Sequence, residues 1–210
     1  AFHEQIEIAG EGSDYGNPAA VLKPVEENFQ QIFTLLSDKG DIKQLETLKN
    51  WSLTQYAQCL PHIKQRKTDG FVRNCHGDLH LANICMFEGR PTLFDAIEFS
   101  EALACIDTLY DFAFLLMDLD VRGLAPLANR AFNRYMARNS DVMASLAGMS
   151  ALPLFMSVRA AIRAIVSALT AANVDDADAV RAMARDYFAA AQRYLEPCQP
   201  TLMAIGGASG

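Results

Sequence analysis

The stretch His76-Gly77-Asp78-Leu79-His80-Leu81-Ala82-Asn83, followed by Ile84-Cys85-Met86-Phe87, Glu88-Gly89, Thr92-Leu93-Phe94 and Asp95-Ala96-Ile97-Glu98, decides how this chain folds. Two short apolar runs flank a Glu-Gly pair, which is the pattern of two strands around a tight turn. Polar residues gather at the strand ends instead of alternating along the strands. A hairpin of this kind is a rigid support that presents Asp78 from the preceding loop, Asn83 at the loop's exit and Asp95 at the end of the second strand. Phe71-Val72 reads as a short strand just upstream, and no other region reads convincingly as β.

Outward from the hairpin the pattern is helical. Val25, Phe29, Ile32, Phe33 and Leu36 recur at three- and four-residue steps and predict a helix over 25–36 that Gly40 ends. A second amphipathic helix is expected from Ile42 to Cys59, with Leu45, Leu48, Trp51 or Leu53, and Tyr56 inward, before Pro61 interrupts it. After Ser100, helices are expected over 105–119, 124–138, 154–171 and 177–195. Residues 1–20, with Gly10, Gly12, Gly16 and Asn17-Pro18, read as an irregular surface connection, and 197–210 as a flexible tail. The fold class is therefore α+β and mostly α-helical, a single unit over 21–196 built around one short β-hairpin.

With 210 residues, 51% hydrophobic and 20% charged, the composition is that of a globular protein. The 18 Lys and Arg against 25 Asp and Glu leave a net charge of -7, which disfavours a nucleic-acid partner. The longest uncharged stretches, 148–158 and 164–174, fall short of the roughly 18 apolar residues of a membrane span. No secretory signal pattern opens the chain, so the expected compartment is the cytoplasm. Cys59, Cys75, Cys85, Cys105 and Cys198 are odd in number and form no C-x-x-C pair, which fits reduced thiols.

Oxygen donors at Asp78, Asn83 and Asp95 suit phosphoryl transfer, where a protein mainly positions the reactants and neutralises charge through hard Mg²⁺ ions. An amide oxygen and one carboxylate can hold the metal without repelling a triphosphate, while a separate Asp orients the attacking hydroxyl and accepts its proton. Asp78 suits that last role. The Asp-x-x-x-x-Asn spacing matches the catalytic loop of protein kinases, with Gly77 in place of an Arg.

His76-Gly77-Asp78-Leu79-His80 with Asn83, then Leu93-Phe94-Asp95-Ala96-Ile97-Glu98-Phe99, then Ile106-Asp107-Thr108-Leu109-Tyr110-Asp111-Phe112-Ala113, resembles the aminoglycoside phosphotransferase-like kinases. These share the protein-kinase fold, and the segments Phe94–Phe99 and Phe114–Asp120 look closest to a bacterial branch of predicted small-molecule kinases. The resemblance spans about residues 16–195, with its specific motifs in 76–113. It implies Asp78 as catalytic base, Asn83 and Asp95 as Mg²⁺ ligands, Asp111 as a buried brace of the catalytic loop, and Asp107 as a second supporting acid. It also implies ATP as donor and a small hydroxyl compound as acceptor.

The same resemblance places residues 1–70 after the strand-rich nucleotide lobe of such kinases, so the chain reads as the C-terminal lobe alone. Gly10 to Gly16 followed by Lys23 imitates a glycine-rich loop and its lysine, but leaves no room for a strand pair between them. No G-K-[ST] marks the P-loop domain fused to some members of that branch.

Other readings stay open. Glu98 is either a further metal-shell carboxylate or a polar residue leaving its strand. His76 and His80 read as structural, packing the loop and bonding backbone carbonyls, with substrate contact as the alternative for His80. Arg159 and Arg163, one turn apart, either pair with an acid such as Asp107 or form an anion-binding wall of the acceptor pocket. Cys75, His76, His80 and Cys85 offer zinc-ligand atoms at unusual spacing, with Cys85 expected on a buried strand. A metal-dependent phosphohydrolase using His76, Asp78, His80 and Asp95, and a non-catalytic binding or adaptor module, are the rival functions.

Overall fold

The computed structural model describes residues 2–10, 13–19, 21–23, 26–27, 39–138, 146–171 and 176–196. A short helix α1 (Phe2–Gln5) precedes the long α2 (Lys39–Thr68), which leads into β1 (Val72–Asn74). A 3₁₀ turn (Leu81–Asn83), β2 (Ile84–Phe87) and β3 (Arg90–Leu93) follow. Then come α3 (Glu101–Ala104), β4 (Cys105–Asp107), α4 (Thr108–Val121), α5 (Ala125–Ala137), α6 (Leu152–Thr170) and α7 (Ala177–Leu195). The class is mostly helical with a little β, as the sequence indicates.

The core is helical. Leu45, Leu48, Cys59 and Ile63 of α2 meet Leu109, Phe114 and Met117 of α4, Leu154, Phe155 and Val158 of α6, and Tyr187, Ala190 and Ala191 of α7 in one buried cluster. Helix α4 lies at its centre and is apolar nearly all round because it is covered on almost every side. Its two buried carboxylates, Asp111 and Asp118, are 0% and 1% exposed. Gly148–Thr170, which includes α6, is long and apolar enough to cross a membrane by length and composition, yet 56% of its apolar 18-residue window is buried inside the fold.

Several expectations are corrected. The second helix does not stop at Pro61 but runs through it to Thr68. Leu45, Leu48, Ser52, Cys59, Ile63 and Arg66 form one buried stripe across the proline, while Pro61 itself faces solvent, where a carbonyl that loses its N–H partner can be hydrated. Packing overrides the local break. Gly40 lies in the first turn of this helix, and the end of the helix expected before it lies outside the described residues. Of the helix expected over 25–36, only residues 26 and 27 are described, and they are helical. The tail after residue 196 lies outside the described residues.

The β structure is also larger than one hairpin. β2 and β3 pair as expected, with Phe87 opposite Arg90, so Glu88 and Gly89 form a two-residue loop, both at positive φ (47° and 74°). That is the backbone whose twist suits adjacent antiparallel strands. A second sheet pairs β1 with β4 in the register Val72↔Asp107, Arg73↔Ile106 and Asn74↔Cys105. Residues 105–107 were expected to open a helix; they are extended instead, and α4 begins only at Thr108. Residues 1–20 are not merely a surface connection. Ile8 bridges Arg73, Ala9 N–H donates to Val72 O, and Asn74 N–H donates to Glu7 O, so residues 7–9 extend the β1–β4 sheet.

Candidate functional site

The loop from His76 to Asn83 is held from below by helix α4. Asp111 Oδ1 accepts from Gly77 N–H at 3.0 Å and Oδ2 from His76 N–H at 3.2 Å. Two turns further along the same face, Asp118 Oδ2 accepts from Leu81 N–H at 3.0 Å. Seven residues bring both carboxylates to one side of the helix, and each takes up amide hydrogens that a tight loop cannot satisfy internally. Asp111 thus braces this loop from a fully buried position.

Each brace has its own support. His3 Nε2 donates to Asp111 Oδ2 at 3.0 Å, while its Nδ1 shares a hydrogen bond with Tyr135 Oη at 3.0 Å. Asp118 Oδ1 accepts from Tyr187 Oη at 2.7 Å and from Arg122 Nε at 3.0 Å. Burial alone would raise the Asp118 pKa, but the Tyr187 hydroxyl, the Leu81 amide and Arg122 outweigh it and hold the carboxyl below its ordinary 3.8. A depressed folded-state value means stability that is fully present above about pH 4 and lost as the pH falls through the folded value. The unfolding free energy of the wild type is therefore expected to fall more steeply below about pH 4 than that of Asp118→Asn in urea titrations at stepped pH. Parallel curves would contradict this assignment.

On this braced loop, Asn83 Nδ2 donates to Asp78 Oδ2 at 3.0 Å and to the Asp78 carbonyl at 2.9 Å. His80 Nε2 lies 3.2 Å from the same Oδ2, and its Nδ1 accepts from Ala82 N–H. The side chain of Asp78 remains 39% exposed. Its partial burial pushes the pKa up, but His80, Asn83 and the more distant Arg159 together bring it below the ordinary value. Asp78 is a carboxylate kept ionised, fixed in orientation and open to solvent.

The segment that leaves β3 and carries Asp95 is stapled to the same loop. Phe94 N–H donates to Asn83 O at 3.1 Å, His76 Nε2 donates to Phe94 O at 2.8 Å, and Ile97 N–H donates to His76 O at 2.9 Å. Backbone hydrogen bonds on both sides of Asp95 therefore join it to His76 and Asn83. Asp95 itself is exposed and adopts φ = 58°, a left-handed conformation that costs a non-glycine residue energy and that surrounding structure must impose. Glu98 is exposed beyond it.

Gly77 explains its own place in the loop. Its φ is 81°, and a Cβ would sit 2.9 Å from Leu103 O and 3.0 Å from Ile97 Cδ1. Gly77→Ala is expected to cost about 1–3 kcal/mol, because backbone strain and a backbone contact both oppose it. Urea denaturation checks this; an unchanged midpoint would show that the loop relaxes.

The remaining candidates separate. Asp107 does not pair with Arg159 or Arg163. It caps α4 through Leu109 N–H and takes a bidentate contact from Arg66 at 2.7 Å, both partners buried. Arg159 instead lies over the Tyr110 and Phe114 rings, and Arg163 near the Tyr187 ring. The zinc quartet is not assembled: Cys85 is exposed on β2, not buried, and no three of its Cys and His ligand atoms lie together among the described residues. His76 donates Nε2–H to Phe94 O, which leaves only its buried, unpartnered Nδ1 for the metal role that the hydrolase reading gives it.

Among the described residues, His3, Cys75 and Asp111 are the one His/Cys/acid group close enough to share a metal, their ligand atoms lying within 4.8 Å. Yet Asp111 is occupied by two amides and a histidine, and burial pushes the Cys75 thiol far above its ordinary value, so it stays protonated and donates to Ile106 O. A protonated thiol is a poor ligand, and the group acts as a brace.

His3, Arg66 and Asp118 escaped the sequence reading of the site. Asp118 carried one signal, its seven-residue offset from Asp111 inside an apolar helix. His3 and Arg66 carried none, because their partners lie 108 and 41 residues away.

No family model matches the chain. It is similar to the uncharacterized proteins Rv2004c and MT2060 of Mycobacterium tuberculosis and Mb2027c of Mycobacterium bovis, at 30% identity over 148 residues in each case. Those alignments cover 69% of this chain but only 28% of each relative, so the chain corresponds to a little over a quarter of their length.

Proposed function

We propose that this chain is the helical lobe of an ATP-dependent small-molecule kinase with a protein-kinase-like fold. The observation that carries the reading is the joining of Asp78, Asn83 and the Asp95 segment into one hydrogen-bonded unit, braced by two buried carboxylates of a single helix. Such rigidity is what positional catalysis requires. A structural turn needs neither an exposed, oriented carboxylate nor a strained aspartate beside it.

In the proposed reaction Asp78 orients the acceptor hydroxyl. The hydroxyl oxygen forms a bond to the γ-phosphorus of ATP as the bond to the ADP oxygen breaks, and the hydroxyl proton passes to the Asp78 carboxylate. Asn83 and Asp95 are the residues that would hold Mg²⁺, since an amide oxygen and a carboxylate form the hard donor set that ion prefers. The metal's contribution is to neutralise charge on the phosphates. In this reading a strand-rich nucleotide lobe would supply the rest of the nucleotide site.

The test is transfer of isotope-labelled γ-phosphate from ATP by the full-length protein. Asp95→Ala is expected to lower turnover to background, as is Asp78→Ala. Turnover that survives both changes would refute the proposal, and release of phosphate from monoesters without nucleotide would favour a hydrolase.

A further inference from the structure

Helix α6 carries a buried cation that no carboxylate among the described residues contacts, Asp78 feeling its charge only through space. Arg159 is only 6% exposed, and its guanidinium lies 3.9 Å from the Tyr110 ring centroid and 4.8 Å from that of Phe114. Those contacts use the faces of the group. Of its in-plane hydrogens, Nε–H reaches Tyr110 O at 3.3 Å, while Nη2 is buried with no hydrogen-bond partner. Arg163, one turn along, leaves its Nε buried and unpartnered as well.

Other arginines of the fold are treated differently. Arg66 has Asp107, Arg122 has Asp118, and Arg193 has Asp120. No carboxylate among the described residues lies within ion-pair distance of Arg159 or Arg163. Two like charges at i and i+4 repel, and a buried cation without a counter-charge is costly. The in-plane fork of a guanidinium matches a carboxylate or phosphate.

The position of this cation connects it with the site. Phe114, under Arg159, also packs against the His80 ring at 5.3 Å, and His80 Nε2 lies 3.2 Å from Asp78 Oδ2. We propose that Arg159, with Arg163 beside it, binds the oxyanion of an acidic acceptor, a hydroxyl compound bearing a carboxylate or a phosphate monoester, and so sets its hydroxyl toward Asp78. This rests on the kinase reading for the role of Asp78. It gives the acceptor a charge opposite to that of an aminoglycoside.

The experiment follows the arginine Nε–H signals of the 210-residue chain in ¹H–¹⁵N spectra, with Arg159→Lys assigning the Arg159 signal. Inorganic phosphate, D-glycerate and neutral glycerol are titrated at constant ionic strength, without nucleotide. A saturable shift of the Arg159 signal at roughly millimolar phosphate or glycerate, and none with glycerol, is the expected result. Response to phosphate alone marks a phosphorylated acceptor, and response to glycerate alone an acidic one. No shift with either anion, or an equal shift with glycerol, overturns the proposal. Because no ATP is present, an anion response alongside turnover that survives Asp78→Ala would leave the anion site standing and remove only the kinase reading.

Discussion

Asp78→Asn in the full-length protein is expected to lower the rate of phosphoryl transfer by about 10²–10⁴-fold, the usual worth of a positioned general base. The KM for ATP should change little, because the proposed role of Asp78 concerns the acceptor hydroxyl. The fold should survive: Asp78 is partly exposed, and an asparagine oxygen can still accept from Asn83 Nδ2. Stability within about 1 kcal/mol of wild type is expected. The pH profile adds a second check. Asp78 must be ionised to accept a proton, and its pKa lies below 3.8, so the acid limb it imposes falls beneath that value and activity is flat with respect to this group near neutrality. A carboxylate so poised is a weak base, which suits a loose transition state in which the proton leaves late. An Asp78→Asn enzyme with wild-type kcat would show that the residue only shapes the loop.

The largest effect on stability is expected from Asp111→Ala. The carboxylate is completely buried and accepts from His76 N–H, Gly77 N–H and His3 Nε2. Removing it strands two amide hydrogens and a histidine in the interior, at a cost of about 3–5 kcal/mol. Asp111→Asn should rescue little, because both oxygens face N–H donors and an amide nitrogen in either place would oppose one of them. Urea denaturation of the three proteins tests this. A loss of less than about 1 kcal/mol for Asp111→Ala would mean that water or a shifted backbone takes over the brace.

What was legible in the sequence was legible for local reasons. The hairpin announced itself through Glu88-Gly89 between two apolar runs, and α6 and α7 through their periodicity. The brace at Asp111 was implied by the resemblance carried in residues 106–113, and its physical ground is local too, because a charged residue inside an apolar helix must find donors. What was hidden depends on partners remote in the chain. Nothing around Cys105-Ile106-Asp107 distinguishes a three-residue strand from a helix start until β1 lies beside it. Pro61 looked like a stop because the stripe that carries α2 past it is set by tertiary packing. His3 sat in a glycine-rich segment that read as a connection, although it ends against Asp111 in the centre of the fold.

In the proposed kinase, Asn83 and Asp95 would form a divalent-metal site beside Asp78. Paramagnetic broadening by Mn²⁺, titrated into the ¹⁵N-labelled chain, tests it directly. The account predicts that the Asn83 side-chain amide and the Asp95 backbone amide broaden first and together, and that Asp95→Ala abolishes this. Broadening that spares Asn83 and Asp95, or that centres on His3, Cys75 and Asp111, would contradict it.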